Sequence, residues 1–454
     1  MNKKITFLPA LLTAVGFCIG SGIFFRANSI LVFTQGNISI AILGWFTLGF
    51  TLIFSGIAMS ILANRTRRDG GIVAYLYDNY GEKASFAAGW FLTFLYTPIL
   101  VCILALVAST YFHTFMSMEL TNPSHFAIGG IFIACTWGWN YFSAKFAAYF
   151  SSASTVIKML PIIVIGTLGI SKVDVEVVSS GFSAFEMGLF TAPLLSMGFA
   201  FNGWTDAGSL SRDLENPQKD MARIFAINAI IVTTAYVLYF SGMSFTLNHI
   251  WGDNLVPMLE EHGPAHVYFA AEALLGSIGA QFITLTVCIS CLGTLNSLVM
   301  SSFRYPHALA QAKDLPKYDY FVQENKYGLP GRVGVLSLVA ILIWFGIYFA
   351  QYHLNAITPE GVSHIFSGIT FPDLPVVMMT VVVSLLMINV LRTGRKEGHS
   401  TFKSVICPLV GLVGQMFLLV SFVMTNYQWL TYTMVILVVI AIGFGVRMTI
   451  KRDA

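Results

Sequence analysis

Glycines interrupt the first apolar segment of the chain, at a place where a membrane-spanning helix should be continuous. The segment runs from Ile5 to Phe33 and contains Gly16, Gly20 and Gly22. A Gly-Ser-Gly step weakens a helix interior, and unwound backbone persists in a bilayer only where it is buried in protein or lines a cavity. A half-helix that begins near Gly22 would point free N–H groups inward, which suits a carboxylate. The alternative is a close helix contact through small residues.

A second interruption lies in the sixth apolar segment. Asn202-Gly203 is a turn signal inside an apolar run, and the chain becomes polar from Ser211 to Asn216. Paired interruptions at corresponding places in two halves of a membrane protein indicate an inverted repeat with a binding site near the middle of the bilayer. The alternative is coincidence in a glycine-rich membrane chain.

Two basic residues remain inside apolar segments. Lys158 lies near the middle of the fifth segment, after a run of small polar residues at 151–155. An ionisable group at this depth is a functional candidate, and its ammonium needs carbonyl, hydroxyl or carboxylate partners from neighbouring helices. The alternative is a lysine that extends to the interface. Arg26 could likewise extend to an outer vestibule, and its role stays open.

The composition is that of a membrane protein. Hydrophobic residues make up 56% of the chain and charged residues 10%, against roughly 25% charged residues in soluble proteins. The net charge of +3 and the absence of long basic runs exclude a nucleic-acid partner. The six cysteines lie in apolar segments and predict no disulfide framework; we interpret Cys288 and Cys291 as packing residues and expect no metal.

The sequence contains no motif of a zinc protease, a nucleophile elbow or a P-loop, so we expect neither an enzyme nor a nucleotide-driven pump, and no cofactor. A channel or a receptor-like membrane protein is the alternative from another class. A pore would need rings of like residues or a filter loop, and the sequence shows neither.

Twelve apolar windows are long enough to cross a bilayer, at about 20 residues each. We place them at 7–33, 38–62, 86–112, 127–144, 150–170, 187–209, 224–247, 273–303, 333–351, 362–391, 404–425 and 429–449. Asn64 to Lys83 is predicted to lie on the cytoplasmic surface, and His249 to Glu272 is predicted to be a polar connection with one short helix. We predict one transmembrane domain over 1–454, with repeats at 7–170 and 187–391 and two additional helices at 404–449.

Basic residues fall almost entirely on one side of this topology. The opposite loops contain Lys172 as their one basic residue, together with the acidic residues Asp174, Glu176, Asp253, Glu260 and Glu261. The positive-inside rule then places both termini in the cytoplasm, in agreement with an even number of spans. We therefore expect a multi-pass protein of the cell membrane.

Four stretches resemble the amino acid–polyamine–organocation transporters, and within them the L-type amino acid transporters and bacterial serine/threonine exchangers. They are Ile19–Phe24 in the first span, Lys158–Pro161 in the fifth, Phe199–Trp204 in the sixth and Ser290–Arg304 in the eighth. The match runs in order across most of the chain. It implies an all-α leucine-transporter-type fold of five plus five inverted spans with discontinuous first and sixth helices.

The resemblance also implies an α-amino acid bound between the two breaks. Backbone N–H groups of Ser21, Gly22 and Ile23 would hold its carboxylate. The carbonyls nominated to accept from its ammonium are those of Cys18, Ile19, Phe199, Ala200 and Asn202. The Phe199 ring would cover the substrate, with plain packing as the alternative. Lys158 would take the place that sodium has in sodium-coupled relatives, with Ser290 and carbonyls near Gly20 as partners.

We therefore expect a secondary transporter of small or neutral amino acids that works by alternating access. A permanently charged Lys158 would favour exchange, and a titrating one would couple transport to protons; both stay open. The stretch from His113 to Phe126 contains no cysteine, so we expect no disulfide-linked heavy chain. Asp373 in the tenth span is left without a role.

Overall fold

The computed structural model describes residues 6–20, 22–66, 71–212, 214–327, 329–358, 370–426 and 428–453. The fold is all-helical, as predicted. The first ten α-helices are α1 (Phe7–Cys18), α2 (Gly22–Phe33), α3 (Ile38–Arg65), α4 (Ile72–Tyr80), α5 (Glu82–Phe91), α6 (Thr97–Met116), α7 (Asn122–Phe142), α8 (Ala144–Ile157), α9 (Met159–Gly169) and α10 (Val175–Ser183). The next ten are α11 (Met187–Thr191), α12 (Leu194–Ala200), α13 (Pro217–Trp251), α14 (Leu255–His262), α15 (His266–Gln311), α16 (Tyr318–Phe321), α17 (Gly331–Ile357), α18 (Asp373–Thr393), α19 (Cys407–Thr425) and α20 (Trp429–Asp453).

By length and composition, eight helical stretches of the described chain can cross a membrane, or ten if each of two bent helix pairs is one span. One of the eight, Pro217–Gln311, contains both α13 and α15, which are each longer than 20 residues. The 21-residue α7 lies outside this count. If each bent pair is counted as one span, α13 and α15 are counted separately and α7 is added, the total is twelve, which is the predicted number.

Most helices run beyond the predicted apolar windows. For example, α13 covers 217–251 where the window was 224–247, because a helix continues through its polar ends into the interfacial region. The short helix expected after the seventh span is α14, and the stretch between the second and third spans also contains a short helix, α4. The predicted start of the tenth span, 362–369, lies outside the described residues, and α18 begins at Asp373.

The chain forms two compact units, and the first contains residues 1–79, 158–287 and 376–425. Helix α13 runs through it in close contact with α3 and α9. A Cβ atom at Gly49 would lie 2.2 Å from Oγ1 of Thr233, and one at Gly169 would lie 2.1 Å from the carbonyl oxygen of Gly242. Gly169 therefore lets α9 approach the backbone of α13, and Gly49 lets α3 pack closely over the Thr233 side chain.

The second unit contains residues 80–157, 288–375 and 426–454. Its buried Asn296 accepts hydrogen bonds at Oδ1 from Trp139 (2.6 Å) and Asn140 (2.8 Å) and donates to the Ala147 carbonyl (2.9 Å). This amide joins the eighth span to the fourth and fifth. Both units draw on both predicted repeats, so the five-plus-five repeat stays a prediction.

Candidate functional site

The first span is broken where the glycines predicted it. Helix α1 ends at Cys18, and the Ile19 N–H closes its last turn on the Val15 carbonyl at 2.9 Å. Ile19 has an extended backbone (φ −71°, ψ 102°), and α2 begins at Gly22. Ile19, Gly20, Gly22 and Ile23 are buried. Ser21, which was predicted to bind the carboxylate, lies outside the described residues.

The sixth span is broken at the Asn-Gly turn. Helix α12 ends at Ala200, residues 201–203 form a turn, and a 3-10 helix runs from Trp204 to Arg212. Gly203 has φ +97°, a conformation that favours glycine, and a Cβ there would lie 2.4 Å from the Phe17 carbonyl oxygen. Asn202 stabilises the turn, because its Oδ1 accepts from the Gly203 N–H at 3.0 Å.

The two breaks meet directly. A Cβ atom at Gly22 would lie 2.7 Å from the Cα of Ala200, so the first turn of α2 packs against the end of α12 with no room for a side chain. The N–H end of one half-helix thus lies beside the carbonyl end of the other. Of the nominated carbonyls, that of Phe199 already accepts from the Asn202 N–H at 3.1 Å and has one lone pair left.

Tyr236 of α13 links the carbonyl ends of the two broken helices. Its hydroxyl lies 2.9 Å from the Cys18 carbonyl oxygen and 2.9 Å from that of Ala200. A hydroxyl has one proton, so it donates to one carbonyl at a time or shares its proton between the two. About two turns before Tyr236 on α13, Asn228 donates from Nδ2 to the Cys18 Sγ at 3.3 Å. The end of α1 is therefore held by two side chains of the seventh span.

Lys158 lies between α8 and α9 and is only 4% exposed. Its Nζ donates to the Gly16 carbonyl at 2.8 Å, one turn before the predicted acceptors near Gly20. Within the described ranges no carboxylate forms an ion pair with it. Ser290 belongs to the second unit and is fully buried, and its predicted part beside Lys158 stays a prediction.

Arg26 and Phe199 lie together beside the junction of the two breaks. The Arg26 guanidinium carbon lies 4.7 Å from the centre of the Phe199 ring and 5.2 Å from that of Phe25, and the two rings are 6.2 Å apart, edge to face. Cations bind favourably over aromatic faces at this range. The contact fixes the orientation of the ring that was predicted to cover the substrate.

The junction brings together two kinds of backbone group. The N–H groups that begin α2 can bind an anion such as a carboxylate, and the carbonyls that end α1 and α12 can accept hydrogen bonds from a cation such as an ammonium. No group of three or more His, Cys, Asp or Glu in the described part of the chain is arranged to hold a metal ion.

Sequence reasoning missed two residues of this junction, Tyr236 and Asn228. Both are buried polar side chains in the otherwise apolar seventh span. A polar group inside a membrane helix needs a hydrogen-bond partner, and that need was the available signal. It does not reveal which backbone carbonyl the partner is.

Comparisons with known proteins identify a family for the whole chain. The amino acid permease family model matches residues 5–444. The chain is 26% identical to the serine/threonine exchanger SteT of Bacillus subtilis (strain 168) over 431 residues, which are 94% of this chain and 92% of that protein. It is 22% identical to the human cystine/glutamate transporter over 354 residues, which are 76% of this chain and 69% of that protein.

The human large neutral amino acids transporter small subunit 2 is 25% identical over 329 residues, which are 70% of this chain and 59% of that protein. Among solved structures, MhsT in complex with L-phenylalanine superimposes with a TM-score of 0.60 at 12% identity, over 94% of this chain and 100% of that one. That likeness confirms the predicted fold class. The chain therefore belongs to the amino acid permease family and is a multi-pass membrane transporter of amino acids, not an enzyme.

Proposed function

We propose that this protein exchanges small or neutral amino acids across the cell membrane by alternating access. The observation that carries the proposal is the direct contact between the two helix breaks, where Gly22 meets Ala200. A backbone receptor of this kind binds the part that all α-amino acids share. It leaves the side chain to be selected by the surrounding helices.

In the proposed binding mode, the substrate carboxylate binds to the N–H groups of Ser21, Gly22 and Ile23. Its ammonium donates to the carbonyls nominated from the sequence, of which Cys18 and Ala200 lie on either side of the Tyr236 hydroxyl. The Phe199 ring, held by Arg26, covers the substrate from the outer side. Opening and closing then require this ring to move with α12.

Exchange is supported by the position of Lys158. Its ammonium binds a carbonyl of α1 directly, so a resident cation is present without an ion that travels with the substrate. Each half-cycle would then need an amino acid rather than an ion gradient. The relative SteT is a serine/threonine exchanger by name, which supports both exchange and a small substrate. Proton symport is the competing mechanism, because a lysine can also release and take up a proton.

The test is uptake of a labelled panel of amino acids into proteoliposomes of the purified protein. Vesicles would contain unlabelled amino acid, or no amino acid and an inward proton gradient, or no amino acid and a sodium gradient. We expect uptake only with internal amino acid. Uptake driven by the proton gradient alone would replace exchange with symport, and no uptake of any amino acid would overturn the proposed substrate class.

Lys158→Ala is expected to reduce exchange at least tenfold while the purified protein keeps its thermal stability in detergent. Lys145→Ala is the matched control, since it removes an exposed lysine from α8, the helix that ends one residue before Lys158. Exchange that stays within twofold in Lys158→Ala would remove Lys158 from the mechanism.

We further infer that both termini face the cytoplasm and that no disulfide-linked heavy chain is needed. The charge asymmetry of the loops supports the orientation. The lack of a cysteine between His113 and Phe126 supports the second inference.

A further inference from the structure

A cavity of about 50 Å³ lies beside the sixth-span break within the first unit. Its wall includes Gly198, Phe201, Asn202, Trp204 and Thr205, but neither Phe199 nor Ala200. The remaining wall comes from α3, α18 and α19. The cavity therefore contacts the unwound segment 201–203 but not the two residues that form the substrate side of the junction.

Six of the residues that line the cavity have polar side chains. They are Thr51, Ser55, Asn202, Thr205, Thr380 and Gln415. They come from four different spans, the second, sixth, tenth and eleventh. Polar cavities of sufficient size hold water in folded proteins, whereas cavities lined by aliphatic side chains stay dry.

Three of these hydroxyls present only acceptors to the cavity. Thr51 donates its proton to the Leu48 carbonyl, Ser55 to the Thr51 carbonyl and Thr380 to the Val376 carbonyl, each at 2.9 Å. A hydroxyl that has used its proton still has a free lone pair. An occupant that contacts these three oxygens must therefore donate hydrogen bonds, which a simple anion cannot do.

The Gln415 amide can be satisfied by a polar occupant. The residue is only 9% exposed, and its amide forms no hydrogen bond in the part of the chain that the structure describes, although the amide atoms keep area that a water molecule can reach. An amide without hydrogen bonds in so buried a residue is unfavourable, and more so in a bilayer than in water. Because Gln415 lines the cavity, a molecule bound there can satisfy both its N–H₂ and its carbonyl group.

Water matches these requirements. It donates to the three hydroxyl oxygens and both donates to and accepts from the Gln415 amide. None of the residues lining the cavity is a carboxylate, so a divalent cation would have no counter-charge. A cavity needs about 10–15 Å³ to hold one water molecule, so this cavity has room for more than one.

We propose that this cavity binds a cluster of ordered water molecules that is anchored by Gln415 of α19. The cluster hydrates the unwound segment 201–203 and leaves that segment free to change its hydrogen bonds when the sixth span moves. Gln415 is thus a positioning residue, which acts on the break through water and not on the substrate. The lining of the cavity supports the water site by itself, whereas the part of this site in transport rests on the proposed function.

The test is hydroxyl-radical footprinting of the detergent-solubilised protein by a short X-ray pulse, with labelling measured by mass spectrometry. Bound water generates radicals where it lies, so a buried side chain beside it is labelled quickly. Trp204 lines the cavity and Trp344 does not, yet both indoles belong to residues that are 9% exposed. We expect Trp204 to be labelled at least fivefold faster than Trp344.

The matched variants are Gln415→Leu and Leu418→Met. Gln415→Leu removes the anchor and is expected to lower Trp204 labelling to the Trp344 rate. Leu418→Met changes an apolar wall residue at similar volume and is expected to leave it unchanged. Thermal stability of each variant in detergent shows that it is folded.

Equal labelling of Trp204 and Trp344 in the unmodified protein would overturn the proposal. So would a labelling rate that changes when sodium is replaced by N-methylglucamine, because the occupant would then be a monovalent cation.

In the exchange assay, Gln415→Leu is expected to lower kcat at least fivefold with KM within twofold of the unmodified protein. Fast Trp204 labelling in a protein that exchanges no amino acid would keep the water site and reject the proposed function.

Discussion

At the scale of single residues, the Tyr236 hydroxyl is the group that most closely ties the two broken helices together. It lies at equal distances from the last carbonyls of α1 and α12. A phenol with one proton and two acceptors can follow either helix end as that end moves. This gives the seventh span a direct part in a site that the first and sixth spans otherwise build.

Tyr236→Phe is expected to raise the KM of every transported amino acid by up to about tenfold. The reason is that a lost hydrogen bond is worth about 0.5–1.5 kcal/mol, and the carbonyls that receive the ammonium would no longer be aligned. The measurement is concentration-dependent exchange in proteoliposomes.

The chain supplies a matched control three residues later. Tyr239 is also fully buried on α13, and its hydroxyl has no hydrogen-bond partner among the described residues. Tyr239→Phe should therefore leave KM unchanged. Equal KM values for both variants would mean that the Tyr236 hydroxyl has no part in substrate binding.

Gly22→Ala is expected to weaken substrate binding at least tenfold. The added methyl group would lie 2.7 Å from the Cα of Ala200, so the two half-helices must separate and their backbone groups lose alignment. Gly188→Ala is the control, because a Cβ at that position meets no atom within 4 Å. Binding can be followed by the ligand-induced rise in melting temperature in detergent. A normal rise in Gly22→Ala would show that the contact is packing only.

Sequence reasoning was more successful for backbone breaks than for their side-chain partners. Gly20, Gly22 and Asn202-Gly203 revealed both breaks because glycine and Asn-Gly steps act locally. Tyr236 could not be assigned, because its role depends on a carbonyl 218 residues away. The Gly16 acceptor of Lys158 was likewise beyond reach, since every residue carries a carbonyl and the sequence does not distinguish them.

At the scale of elements, the part of the sixth span after the break differs from the part before it. It is a 3-10 helix from Trp204 to Arg212, whereas the sequence predicted an interrupted span over 187–209 without indicating the helix type after the interruption. Gly208 lies in it, and a Cβ there would be 2.3 Å from the Tyr75 hydroxyl of α4. Whether a segment is α or 3-10 depends on such packing as well as on local propensity, so the sequence alone did not predict it.

The N-terminal end of α7 contains a histidine whose titration should change the stability of the protein. His125 lies in the first turn of α7, and its Nδ1 has no partner in the described ranges. Burial, and to a lesser degree the neighbouring His113, lower the pKa of His125 to about 4. An unfolded histidine titrates near 6.5, so between these values the unfolded chain binds more protons than the folded one.

The free energy of unfolding should therefore fall as the pH is lowered from about 6.5 to about 4. We expect the melting temperature in detergent to fall across this window and the His125→Asn variant to show a smaller fall. His249→Asn, at an exposed position at the end of α13, should behave like the unmodified protein. The same pH dependence in His125→Asn would exclude His125 as the cause.

At the scale of the whole molecule, the positions of charged residues and of apolar surface predict how the protein sits in a membrane. Helix α20 exposes Leu430, Met434, Leu437, Val438 and Ile442. Exposed apolar side chains along a span of this length suit lipid. Basic residues concentrate in loops on one side of the predicted topology, which is the basis of the proposed orientation.

A C-terminal fusion to green fluorescent protein is expected to fluoresce when the chain is expressed in bacteria, and a C-terminal fusion to alkaline phosphatase is expected to be inactive. The reason is that both reporters would lie in the cytoplasm, where the first folds and the second does not. A fusion inserted after Asp174 should give the opposite pair of results. An active phosphatase at the C-terminus would reverse the proposed orientation or change the number of spans.

The 3-10 segment of the sixth span is longer than an α-helix with the same number of residues would be. A 3-10 helix rises about 2.0 Å per residue and an α-helix about 1.5 Å. The nine residues from Trp204 to Arg212 therefore extend about 18 Å as they stand and about 13.5 Å if rewound as α-helix. Rewinding would draw the Arg212 end of this segment towards the break by about 4.5 Å while α12 keeps its place. A change of pitch inside one helix can thus displace the end of that helix without a swing of the whole span.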